Sequence, residues 1–278
     1  MSDNLLLYIL YGLIAGFSGY TPASASAHQA LFPILLRFDS TWPLLRFCVH
    51  LGALAAYVFL YWQRLNHIYR EMSLVAQPPR QRKRPPDMMA VLDARLVMMA
   101  TVPALLGAIC SAFLFHRGPN LLLLSALLIA GAVCIYIPDY VPGGDRKTNA
   151  MSPFEGLLLG VCAGISVIPG VSAVGMMMSI GLLRKCDREN LLDLALMICG
   201  VTLAGMILVD CISIFVAGFA GFSMLRLLGC LLAAAASFGG AVGGILMMRF
   251  LAVKTGFSGF AFYGWGLGLF SFILYLMV

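Results

Sequence analysis

The chain has 278 residues, of which 61% are hydrophobic and only 11% charged, and its formal net charge is +6. Soluble domains sit near roughly 45–50% apolar and 25% charged, so these proportions exclude an ordinary soluble enzyme, a disordered chain and a nucleic-acid binder. They point to an all-α polytopic membrane protein, a single membrane domain over residues 1–278, and the 29 glycines and 16 methionines suit helices packed closely in lipid.

In chain order, Met1 to Leu10 carries Asp3 and no Lys or Arg. Lacking the basic n-region of a cleaved signal, this end is expected to stay in the mature protein. The apolar stretch over about 5–36 is interrupted by Gly19-Tyr20-Thr21-Pro22-Ala23-Ser24-Ala25-Ser26. Proline breaks a helix, and irregular backbone survives in a membrane only inside protein or beside a wet cavity. The stretch therefore reads as a re-entrant helical hairpin that enters and leaves on one side. The next stretch, about 43–63, is long enough to cross the roughly 30 Å hydrocarbon core, and Trp42 and Trp62 at its ends are expected at the two interfaces. A basic, Pro-rich loop over 64–90 follows, then spans over about 91–115 and 119–138. A second broken stretch, about 154–183, carries Ile168-Pro169-Gly170-Val171-Ser172 and reads as a second re-entrant hairpin. Spans over about 191–217, 224–250 and 257–278 bring the predicted transmembrane helices to six.

The basic residues orient this set. If loop 64–90 is cytoplasmic, 14 of the 18 Lys and Arg fall on that side, and only Arg37, Arg46, Arg117 and Arg226 fall opposite, as the positive-inside rule expects. The C-terminus is then extracytoplasmic. The run Pro78 to Pro86 sets this topology first, and contact with anionic lipid is its sharper reading.

A shift of 148 residues aligns the broken stretches without a gap: Gly12 with Gly160, Gly16 with Gly164, Ser18 with Ser166, Ser24 with Ser172, and further on Asp39 with Asp187 and Gly52 with Gly200. Repeat 1, about 5–63, and repeat 2, about 154–217, are separated by three spans, and an odd number inverts the second unit. Inverted-topology repeats with broken helices place substrate at the repeat interface. The hairpin tips, with Ser24, Ser26, His28, Gly170 and Ser172, are therefore the candidate binding site, where backbone N–H groups at half-helix starts suit an anion.

Chemistry-bearing residues are few. A Ser26/His28 pair on one hairpin has the elements of a nucleophile and base, against the plainer reading of a histidine bonded to a nearby carbonyl. Glu155, Asp193 and Asp210 fall near predicted helix ends, which reads as a solvated interface for each. No Lys or Arg falls in either hairpin core, although phosphoryl chemistry calls for cationic clamps. No metal site is expected, because HxxxH, HExxH and carboxylate clusters are all missing from the sequence. The eight cysteines form no CxxC pair and read as small buried hydrophobes, all but Cys186 in apolar stretches.

The segments Ala15 to His28 (AGFSGYTPASASAH) and Ile168 to Gly175 (IPGVSAVG) resemble the two motifs of the bacterial undecaprenyl pyrophosphate phosphatases, the BacA or bacitracin-resistance family, which run like EGxTEFLPISSTGH and IPGTSRSG. Phe47 to Leu65, Asp187-Arg188-Glu189 and Gly256 to Leu269 resemble further segments of that family in matching order. The resemblance implies an inverted repeat with two hairpins in a bacterial inner membrane, and a polyprenyl diphosphate as substrate. It also implies acids and an arginine that hold the diphosphate with a divalent cation during cleavage. His28, Ser24, Ser172, Pro22 and Pro169 match the motifs. The family's motif glutamates fall on Ala15 and Gly19, its second motif serine on Ala25, and its arginines on Ala173 and Gly264.

These departures favour a non-catalytic carrier or flippase for a polyprenyl phosphate lipid, without cofactor. Two alternatives stand beside it. One is an active phosphatase recycling the cell-wall lipid carrier, with His28 and Ser26 at its site and a divalent cation as cofactor. The other is a structural or regulatory pseudoenzyme. The partner in each lipid reading is membrane lipid and not nucleic acid, and a homo-oligomer stays open.

Overall fold

A computed structural model of the protein describes residues 4–114, 120–217, 222–254 and 256–277. Met1 to Asp3, Arg117 and Val278, which enter the reading of the termini and the charge bias, lie outside the described residues. The described chain is a succession of helices: α1 (Leu5–Gly19), α2 (Ala25–Leu36), α3 (Pro43–Ala76), α4 (Met88–Leu114), α5 (Leu121–Tyr136), α6 (Pro153–Ile165), α7 (Ala173–Leu183), α8 (Arg188–Ala217), α9 (Met224–Lys254) and α10 (Ser258–Met277). Among the described residues, α3, α4, α5, α8, α9 and α10 carry stretches long and apolar enough to cross a membrane, so the all-α polytopic class and its six spans hold.

Local chemistry sets several starts. Asn4 caps α1 by accepting from the Leu6 N–H at 3.0 Å, and Asn120 caps α5 through Leu123. Ser152 and Glu155 form a capping box ahead of α6, with Pro153 at the first helical position. One boundary differs from expectation. The span predicted to end near residue 63 continues as α3 to Ala76, so loop 64–90 shrinks to residues 77–87. Nothing in Arg64 to Gln77 breaks a helix, and the first breaker is Pro78. The extended helix is also held from outside, since Arg84 folds back onto the fully buried Glu71.

The four short helices have 11 to 15 residues. At about 1.5 Å per residue they reach about 16–22 Å, less than the hydrocarbon thickness. They form two hairpins. Phe38, just past α2, returns to Tyr8 at the start of α1, ring centroids 4.9 Å apart. Arg184, just past α7, returns to Glu155 at the start of α6, at 2.6 Å. The hairpins meet at their tips.

Around them, α1 packs on α9, α6 on α4, α3 on α8 and α9, α4 on α8, and α5 on α10. Exchanging α1–α5 for α6–α10 carries this set of pairs onto itself. Glycines permit the closest of these contacts. A Cβ at Gly12 or Gly16 would lie 2.1 Å from a carbonyl oxygen of α9, of Ala233 and Ser237 respectively. One at Gly160 or Gly164 would lie 2.4 Å from a carbonyl of α4, of Ala100 and Pro103.

One end of the bundle gathers the charged loops. Asp139 accepts from the Phe257 and Ser258 N–H groups at 2.6 Å each and from Arg188 at 3.0 Å. Arg146 reaches Glu155 and the Arg184 carbonyl. Arg64 pairs with both Asp93 and Asp193. The solvated reading of Glu155 therefore fails: it is buried, because two guanidiniums and the Ser152 N–H replace its water. All eight cysteines are free thiols, but Cys110 is exposed on an outward face of α4, whereas Cys186 is buried.

Candidate functional site at the hairpin crossing

Two serines hold the tips together. Ser24 caps α2, accepting from the Ala27 N–H at 3.3 Å, and its hydroxyl donates to the Val171 carbonyl at 3.0 Å. Ser172 caps α7, accepting from the Gly175 N–H at 3.2 Å, and donates to the Thr21 carbonyl at 3.1 Å. Ser26 donates to the Ser166 carbonyl at 3.0 Å, with the Ile168 carbonyl at 3.2 Å. Backbone carbonyls left bare by the helix breaks are thus satisfied by the opposite hairpin. Ser24 holds φ 57° and ψ 92°, a left-handed conformation that a non-glycine residue adopts only at a cost.

Beside this seam lies a cavity of about 70 Å³. Its polar lining is Ser18, Ser26, Gln29, His50, Ser166, Ser172 and Thr202, and Ala15, Gly19, Ala25 and Ala173 also face it. Ala25 and Ala173 are the first residues of α2 and α7. Two helix N-termini therefore converge on one cavity, each bringing the positive end of its dipole.

The predicted site residues separate here. Ser24, Ser26 and Ser172 come together at the crossing. His28 points elsewhere: Nδ1 meets the Ser24 carbonyl at 2.9 Å and Nε2 meets the Tyr263 hydroxyl on α10. Its ring and the Ser26 hydroxyl are each engaged with other groups, so no bond joins them. Gly170, at φ 104°, turns toward α5, where a Cβ would lie 2.8 Å from the Leu127 Cβ.

Sequence reasoning missed the charged group at the cavity wall. His50, on α3, bonds through Nδ1 to Asp210 on α8 at 2.7 Å, and the other carboxylate oxygen takes Arg46 at 3.2 Å. The Asp210 side chain is 4% exposed and that of His50 7%. The expectation of a solvated Asp210 is therefore corrected: near the end of its helix it is buried because α3 supplies both partners. The available signal was His50 itself, which with Arg46 is an ionisable residue inside an apolar span.

The donor set does not fit a divalent cation. Among the described residues no group of three or more His, Cys, Asp or Glu could hold a metal ion. Asp210 is already committed to His50 and Arg46, and the other side-chain oxygens lining the cavity are the single carboxamide of Gln29 and hydroxyls whose protons go to carbonyls. A hard dication needs carboxylates and several free oxygens.

Comparison with known proteins gives a family match and named relatives. The family model described as bacitracin resistance protein BacA matches residues 8–270. A protein of Desulforapulum autotrophicum named undecaprenyl-diphosphatase is 26% identical over 95% of this chain and 96% of its own length. One of the same name from Thermodesulfovibrio yellowstonii is 23% identical over 98% of each chain. A third, from Moorella thermoacetica, is 29% identical over 67% of this chain and 68% of its own.

Proposed function

The chain belongs to the bacitracin resistance protein BacA family, and from that premise we propose that it is a polyprenyl-diphosphate phosphatase of a bacterial cytoplasmic membrane, with undecaprenyl diphosphate as its substrate. The observation that carries this reading is the convergence of the α2 and α7 N-termini on one cavity that an ionisable side chain, His50, also lines. Two half-helix starts attract a diphosphate, and the apolar outer faces suit its polyprenyl chain. In this reading Ser24, Ser26 and Ser172 hold the tips in register, and the backbone N–H groups behind them receive the phosphate oxygens. His28, tied to Tyr263, borders the crossing. The relatives that span the whole chain carry the name of this activity.

The two hairpin units, about 5–63 and 154–217, are read as an inverted repeat, which the exchange symmetry of the helix packing supports. The end that gathers Arg64, Arg146, Arg184 and Arg188 is assigned to the cytoplasm on the positive-inside rule.

A non-catalytic carrier is the second reading. It is favoured by Ala15, Gly19 and Ala173, which line the cavity where the motif resemblance expects two carboxylates and an arginine. Purified protein in liposomes containing undecaprenyl diphosphate separates the two. Release of inorganic phosphate supports the phosphatase. Translocation of the lipid with no phosphate released supports the carrier and refutes the phosphatase.

A further inference from the structure

We propose that His50 is the proton-transferring catalytic residue of this cavity and that Asp210 and Arg46 position it. The inference rests on the phosphatase reading above and adds a group that neither hairpin motif contains.

A histidine and a carboxylate buried inside a bundle are costly and mark function by default. This pair is also directed. An ionised carboxylate only accepts, so Nδ1 of His50 donates to Asp210. That fixes the tautomer and leaves Nε2 for whatever enters the cavity that His50 lines. Arg46 completes the set by pairing with the second carboxylate oxygen at 3.2 Å. The remaining cavity hydroxyls suit the role poorly. Ser26, Ser166, Ser172 and Thr202 each donate to a backbone carbonyl.

The step balances as follows. The oxygen of a water molecule bonds to the terminal phosphorus, and the bond from that phosphorus to the bridging oxygen breaks. The electron pair of the broken bond stays on the lipid monophosphate. The proton lost by the water goes to Nε2 of His50, where Asp210 offsets the imidazolium charge, and then to the departing monophosphate. The N-termini of α2 and α7 face the charge that builds on the phosphate oxygens.

The test is steady-state phosphate release from undecaprenyl diphosphate by the full chain in liposomes. His50→Gln is expected to lower kcat by about 100-fold or more and leave KM within about threefold. Asp210→Asn should lower kcat by about tenfold or more, again with little change in KM. A single replacement strands a buried charge and risks the fold. The triple variant Arg46→Gln/His50→Gln/Asp210→Asn removes all the charges together and is expected to fold and to release no phosphate. A folded His50→Gln or triple variant with kcat within threefold of wild type overturns the inference and leaves the phosphatase reading standing. A raised KM with unchanged kcat also overturns it, reducing His50 to a binding group. A wild-type protein that releases no phosphate overturns both.

Discussion

Ser24 and Ser172, 148 positions apart, make the same pair of bonds: each caps its own short helix and gives its hydroxyl proton to the backbone of the other hairpin. Each is at once the start of a helix and a fastener between hairpins. Replacing either by alanine removes a cap and strands a buried carbonyl, which together should cost about 1–3 kcal/mol. Ser24→Gly should cost less than Ser24→Ala, because glycine occupies φ 57° without strain. Thermal unfolding of the purified variants in detergent gives the ranking, and equal losses for Ser24→Gly and Ser24→Ala would contradict it.

The glycines divide by what faces them. Gly16→Ala and Gly164→Ala press a methyl onto a carbonyl of the neighbouring helix and should each cost about 1–3 kcal/mol. Gly19 has open space in front of it, so Gly19→Ala should stay within about 0.5 kcal/mol of wild type. Gly19→Glu should fold too, and combined with Ala173→Arg it should raise phosphate release by restoring charge to the cavity wall. Unfolding midpoints and initial rates check the two halves separately.

Glu155 anchors the second hairpin. Burial alone would raise its carboxyl, but the Ser152 N–H and the Arg184 and Arg146 guanidiniums outweigh that and hold it down to about 2. A carboxyl depressed from an ordinary 4.5 contributes stability that is complete above about pH 4.5 and is lost as pH falls toward 2. The arginines are partly exposed, so screening trims the effect, and Glu155→Gln should cost about 1–3 kcal/mol at pH 7. The deficit relative to wild type should shrink as pH drops from 4.5 to 3, as read from unfolding midpoints in a detergent stable over that range.

Sidedness has a direct readout. A cysteine placed at Arg82 should react with a membrane-impermeant maleimide only after cells are opened. One placed at Asp39, beyond the opposite end of the bundle, should react in intact cells. Reaction at the Arg82 site in intact cells would reverse the assignment.

The six spans were legible because lipid demands about 20 apolar residues in a row, and both hairpins because Pro22 and Pro169 interrupt such runs. The end of α3 was not, because a polar helix leaving a membrane and a polar loop share a composition; only the fold-back of Arg84 onto Glu71 separates them. At the crossing, Ser24 and Ser172 were legible from their matched spacing. His28 was read as a tip residue but is engaged by Tyr263, 235 positions away. His50 and Asp210 are 160 positions apart, and an acid near a helix end carries no local mark of whether its far partner will bury it.

The serine bonds between the hairpins also set an order for assembly. The first hairpin leaves the ribosome 148 residues before its counterpart, and synthesis at about 5–20 residues per second makes that a wait of about 7–30 s. Through that interval the Thr21 carbonyl has no Ser172 to accept from, and the Ser24 and Ser26 hydroxyls have no carbonyls of the second hairpin to meet. In the meantime, bare polar groups this deep in a nascent membrane chain call for water, lipid headgroups or an insertion factor. The first hairpin is thus completed only when the second arrives beneath it.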